Sequence, residues 1–149
     1  PVVLIRLNYS VEFRYGVPVD IAKKVLHEEP IDVSMGYVNV IWQKDALVQI
    51  IQCLTLVESP PAPINITGPS TISVRDLAKR FGGLFNKEPL IIGKEAETAW
   101  LSNASKSHQL FGLPATSLDT MTQWIAAWLT ESGQTFNKPT GFDRRDGNY

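Results

Sequence analysis

Apolar residues along this chain alternate between short continuous runs and stretches with helical spacing. Val2 to Leu7 is a β-branched run broken only at Arg6, the pattern of a strand covered on both faces, as in a parallel sheet. Around Pro18 a helix is expected, because proline is tolerated in a first turn, and Ile21, Ala22, Val25 and Leu26 share one face until Pro30 stops it. Ile31 to Val33 and Tyr37 to Trp42 read as short strands around Gly36. From Lys44 to Val57, Leu47, Ile50, Ile51, Leu54 and Val57 recur at helical spacing, and Ser59-Pro60-Pro61 ends that helix.

Pro63 to Thr67 predicts a strand and Gly68-Pro69-Ser70 a turn; Ser73 with Asp76 three residues on resembles a capping box. The helix that follows runs to about Phe85 on a face of Val74, Leu77, Ala78, Phe81, Leu84 and Phe85, with Gly82-Gly83 expected to weaken its last turn. Leu90 to Ile92 predicts another strand, and Asn103 to Phe111 a short helix closed by Gly112 and Pro114. Ser117 caps a last helix whose stripe is Leu118, Met121, Trp124, Ile125 and Trp128, with core packing expected for both tryptophans. Thr130 to Tyr149 is polar and without period, a tail either docked or disordered. Strands alternating with helices indicate a small mixed α/β domain.

Composition narrows the function classes. The chain has 149 residues, 44% hydrophobic and 19% charged, with a net charge of −1, so it belongs with globular proteins and can build one core, not two. No basic excess is present to attract nucleic acid. The longest apolar run is far short of the ~20 residues of a membrane helix and does not have the charged flank before it that a signal peptide has; the expected location is the cytoplasm. One cysteine, Cys53, excludes an intrachain disulfide, and neither it nor His27 or His108 has partners at metal-ligand or catalytic spacing. Three sequons, at Asn8, Asn65 and Asn103, read as strand-end and cap chemistry. The chain opens at Pro1 directly on its first apolar strand, which reads as a fragment.

The order of four segments resembles the extended short-chain dehydrogenases/reductases, the NAD-dependent epimerase/dehydratase group. VVLIRLNYSVEFRYG looks like the strand that follows the family's Tyr-x-x-x-Lys helix, with Arg6, Asn8, Tyr15 and Gly16 as its elements. IWQKD stands where the family has Ile-His-Val-x-Asp, with Asp45 in place and Trp42 instead of histidine. PINITGPSTISVRDLAKRFGGLF matches the strand-Asn-turn-Ser/Thr-helix element through Asn65, Gly68, Ser73 and Asp76. SNASKSHQLFGLPATSLDTMTQWIAAWL is similar to the closing Asp-x-Ser-Lys element, with Asn103 for the aspartate. The resemblance spans residues 1 to about 129 and implies the carboxy-terminal, substrate-binding portion of such an enzyme, carrying one leftover Rossmann-type strand, with 130–149 as a polar tail.

That resemblance implies NAD or NADP in an intact parent, bound chiefly by a Rossmann half that this chain lacks. The family's glycine-rich turn has no counterpart in the sequence, and none of Tyr9, Tyr15, Tyr37 or Tyr149 has a lysine four positions on. No catalytic residue and no metal ligand is therefore assigned, and the chain alone is expected to bind no cofactor and to be inactive. What remains is contact surface. Asn8 and Tyr9, just past the strand end, are the leading candidates, Asn8 also on the nicotinamide side; a turn-capping role is its structural alternative.

Arg14 and Tyr15 could line the same pocket, an arginine being suited to a phosphate or carboxylate, with a surface salt bridge as the bland alternative. Trp42 and Trp100 could stack on a sugar or base, against core packing. The family's usual diphosphate-binding arginines are missing from SMGYVNVIW and GKEAETAWL, so a smaller or uncharged carbohydrate-like substrate fits as well as a diphosphate-linked sugar. A second reading stays open: a non-catalytic interaction or oligomerisation module. An unpaired Val2–Leu7 edge would also favour homo-oligomers.

Overall fold

Glycines and prolines divide the chain into short elements, which the computed structural model describes over residues 1–145. In order these are β1 (Leu4–Leu7), β2 (Ser10–Val11), α1 (Val17–Leu26), β3 (Ile31–Asp32), β4 (Tyr37–Val38), β5 (Ile41–Trp42), α2 (Gln43–Gln52, continued by a 3-10 turn to Leu56), β6 (Pro63–Ile66), β7 (Ile72–Ser73), α3 (Val74–Phe85), β8 (Ile91–Ile92), α4 (Ser105–Phe111) and α5 (Leu118–Thr130). The strands pair two by two: β1 with β6, β2 with β5 and β3 with β8 in parallel, β4 with β7 antiparallel. The fold is small mixed α/β.

The helix signals act as expected. Pro18 sits in the first turn of α1, which buries Val17, Val19, Ile21, Ala22 and Val25. Ser73 Oγ accepts the Asp76 N–H at 3.1 Å and Ser117 Oγ the Thr120 N–H at 3.1 Å, each satisfying an amide that a helix start leaves unpaired. Asn103 Oδ1 accepts from the Ser105 amide at 2.9 Å and its hydroxyl at 2.6 Å, so the asparagine still serves the start of α4. Helix α3 runs through Gly82-Gly83 without interruption and closes on Asn86 in the left-handed conformation.

Helices α1, α3 and α5 pack on one another around a main core that includes Phe81, Ile21, Ile31 and Ile125. A second cluster of five buried residues, Ile41, Ala46, Cys53, Ile64 and Ile66, lies under β1, β6 and α2, where a single core was expected. Burial pushes the Cys53 thiol pKa up, which keeps it protonated and unreactive.

Three expectations are corrected. Tyr37–Trp42 is not one strand: Val38 pairs with Ile72 and Trp42 with Val11, because Asn39 between them is buried and turns its side chain to Asn8 and Ser102. β1 is not covered on both faces; Val2, Leu4 and Leu7 are 53%, 47% and 47% exposed, and among the described residues only β6 pairs with it. Most of the apolar stripe of α2 and the turn that continues it faces outward, with Leu47, Ile51 and Leu54 52%, 66% and 69% exposed, and only Ile50 packs against the second cluster.

The buried face of α2 is instead Asp45, Ala46 and Gln49. Asp45 Oδ2 accepts the Thr116 N–H at 2.9 Å and Gln49 Nε2 donates to the Gly112 carbonyl at 3.3 Å. Turning the helix over would strip two buried polar groups of these partners, a cost comparable to the apolar burial gained.

The described part of the tail is docked. Phe142 is buried in the main core, Asp20 Oδ2 accepts both the N–H and the hydroxyl of Thr140 at 2.7 Å, and Arg145 donates to the Thr98 carbonyl at 2.9 Å. Tyr149, with residues 146–148, lies outside the described residues. Among the described residues no helix is long and apolar enough to cross a membrane, and no His/Cys/Asp/Glu group could hold a metal ion.

Candidate functional site

Past the carboxyl end of β1 the chain turns sharply. Tyr9 has φ 39°, a left-handed conformation that a bulky residue adopts only when its surroundings impose it; here its carbonyl accepts the Ile41 N–H at 3.2 Å. Glu12 and Tyr15 then close a tight hairpin through reciprocal backbone hydrogen bonds of 3.0 and 3.3 Å. Gly16 follows with φ 136°, and a Cβ there would lie 3.0 Å from both Val11 methyl groups, so only glycine lets the hairpin enter α1 directly.

This geometry opens a cleft of about 450 Å³ lined by Tyr9, Arg14 and Tyr15 together with Glu12, Gln43, Phe136 and Thr140. Its polar side-chain groups are one guanidinium, one carboxylate, two phenols, an amide and the two hydroxyls of Ser10 and Thr140. Such a set can orient a polar ligand by hydrogen bonds and charge.

Three of the residues singled out in the sequence thus converge on one cleft, while three stand elsewhere. Asn8 is next to it, but its amide donates to Asn39 Oδ1 at 2.6 Å and to the Asn39 carbonyl at 3.3 Å. Asn39 in turn donates to the Ser102 carbonyl at 2.7 Å, so Asn8 ties the β1 exit to the segment before α4. Trp42 is only 7% exposed, edge-on to Phe13 and Trp124 at 5.1 and 5.5 Å between ring centroids; it packs in the core. Trp128 is half-buried, its indole N–H on the Gln134 carbonyl at 3.1 Å, and Trp124 is 44% exposed. His27 is exposed just after α1, and His108 Nε2 lies 2.9 Å from the Thr67 carbonyl oxygen.

Trp100 is 53% exposed on the segment between β8 and α4, away from the cleft. Glu95 anchors that segment to α3: Arg75 Nε donates to Glu95 Oε1 at 2.6 Å and Nη2 to Oε2 at 3.1 Å. The guanidinium lowers the Glu95 pKa from 4.5 to about 2. A carboxylate held this low contributes stability that is complete above its unfolded pKa and is lost as the pH falls through about 2. Glu95→Gln should therefore lower the melting temperature at neutral pH, with an effect that shrinks towards pH 2 and disappears below it, which paired melting curves across that range would check.

Sequence reasoning missed Glu12, Gln43, Phe136 and Thr140. The last two lie in the polar tail, where the one available signal was an aromatic residue without a periodic partner.

No protein-family model matches the sequence, and no curated protein matches it. Solved structures do match in fold. The UDP-glucuronic acid 4-epimerase of Bacillus cereus, solved with NAD, superposes with a TM-score of 0.70 at 16% identity, covering 89% of this chain and 45% of that one. WbmG of Bordetella bronchiseptica, solved with NAD and UDP, gives 0.66 at 20% identity over 91% of this chain and 45% of that one. The Thermotoga maritima UDP-glucose 4-epimerase, solved with UDP-glucose, gives 0.63 at 15% identity over 86% and 45%. This chain therefore shares the fold of a part of those structures, and it spans a little under half of their length.

Proposed function

We propose that this chain, over residues 1–129 with 130–149 as an accessory tail, is the substrate-binding part of a cytoplasmic NAD- or NADP-dependent epimerase, dehydratase or reductase acting on a small sugar-like substrate. It is inert until joined to a Rossmann half that supplies the cofactor turn and the Tyr-x-x-x-Lys pair. The observation that carries this reading is the convergence of Tyr9, Arg14 and Tyr15 on one cleft past the carboxyl end of β1, the place where open α/β folds bind ligands. The outward apolar face of β1 and α2 supports it too, as the surface on which such a half would seat.

Calorimetric titration of this chain with NAD should show no heat of binding, whereas micromolar binding would sink the proposal. The coding sequence immediately upstream of Pro1 discriminates further. A glycine-rich turn and a Tyr-x-x-x-Lys pair there would support the enzyme reading. Their absence would favour a non-catalytic interaction or oligomerisation module, which the unpaired edge and exposed side chains of β1 also suit.

A further inference from the structure

Phe136 is an exposed aromatic residue, 57% accessible, yet its position is closely determined. Its N–H donates to the Arg14 carbonyl at 3.1 Å, and its ring lies under the Arg14 guanidinium, 4.5 Å from ring centroid to Cζ. The strap that carries it is held to α1 on both sides: Lys23 Nζ donates to Thr135 Oγ1 at 3.3 Å and to Asn137 Oδ1 at 3.1 Å, and Asp20 holds Thr140. Pinning at both ends presents the ring as a preformed shelf.

Arg14 is the cation on that shelf. Its Nε donates to both Glu12 carboxylate oxygens, at 3.1 and 3.0 Å, while Nη1 and Nη2 make no hydrogen bond among the described residues and the side chain is 50% exposed. A guanidinium engaged through Nε on one edge and stacked from below keeps its two terminal nitrogens as a fork of fixed orientation. Two parallel N–H donors on a planar cation match two oxygens of a carboxylate or phosphate.

We propose that Phe136 is a positioning residue that makes Arg14 the oxyanion receptor of this cleft, so that the ligand is a small sugar-like molecule bearing a carboxylate or a phosphate group. This rests on the cleft being the substrate site and adds the charge of the substrate and a wall drawn from beyond residue 129. Glu12 both aims the guanidinium and repels an anion that misses the fork, which favours a ligand whose charge is localised at one end.

The test is a titration of the 149-residue protein followed by the Arg14 Nε–Hε and cleft tyrosine NMR signals, with glucuronate, glucose 1-phosphate and neutral glucose as probes. Both charged probes should move the Arg14 signal saturably, the tighter one identifying the group, and glucose should leave it in place. Phe136→Tyr keeps the ring and should bind as wild type; Phe136→Leu keeps apolar bulk and should weaken charged-probe binding by roughly three- to tenfold, the range of a cation–π contact. Wild-type affinity in Phe136→Leu would overturn the proposal. So would an Arg14 signal that neither charged probe moves: if glucose still shifts Tyr9 and Tyr15, only this inference falls, and if no probe shifts anything in the cleft, the functional reading falls with it.

Discussion

Gly68→Ala is expected to destabilise the protein by about 3 kcal/mol, the upper end of overpacking costs, and to lower the melting temperature by roughly 10 °C at this chain length. Gly68 follows β6, and a Cβ placed on it would collide with the backbone carbonyl oxygen of Val40. The obstacle is main chain, which no rotamer change can move aside. The requirement is for space rather than for an unusual φ, since Gly68 is not among the positive-φ residues.

The damage should reach the cleft. Val40 lies between Asn39, which holds Asn8, and Ile41, whose N–H holds the strained Tyr9. Displacing that segment should disturb both tethers at once. Calorimetric melting measures the first effect, and loss of ligand-induced shifts at Tyr9 the second. A variant that melts within 2–3 °C of wild type, the shift expected for about 1 kcal/mol, would show that the two backbones separate easily and that the β1 exit is not rigidly placed.

Replacing Leu47, Ile51 and Leu54 together by glutamate should abolish self-association while leaving the fold intact. All three side chains are more than half exposed on the outer side of α2 and the 3-10 turn that continues it, so the chain itself gains little from them and their loss should change stability by no more than about 1 kcal/mol. Covering the remaining half of each by a second copy would return about 1 kcal/mol apiece, together roughly a hundredfold in association constant. Light scattering at high protein concentration should show the wild type associating and the triple variant monomeric. A strictly monomeric wild type would sink the expectation, and an unfolded variant would mean that α2 depends on this face for its own packing. In a longer protein carrying an NAD-binding half, the same substitutions should weaken the docking of that half.

Much of the architecture is legible in local pattern because its causes are local. Ser73 and Ser117 cap their helices wherever the rest of the chain goes, since the bond each makes lies within three residues. The 3.6-residue recurrence through Val74, Leu77, Ala78 and Phe81 marks a buried face that α3 does bury, and Pro18 and Pro30 bracket α1. Element order followed from such signals, and with it the resemblance in motif order and the choice of Arg14 and Tyr15 as a pair.

Periodicity identifies which residues share a face but not which way the face looks. On α2 that was decided by Asp45 and Gln49 finding backbone partners 71 and 63 residues away, which left Leu47, Ile51 and Leu54 outside. The partner of the Asn8 amide, Asn39, likewise stands 31 residues on. The ladder split at Asn39 and the docking of Phe136 on Arg14, 122 positions apart in the numbering, have the same origin. Local bonds determined where this chain bends and coils; which surfaces it buries, and what stands in its cleft, depended on polar groups that find partners only after distant segments meet.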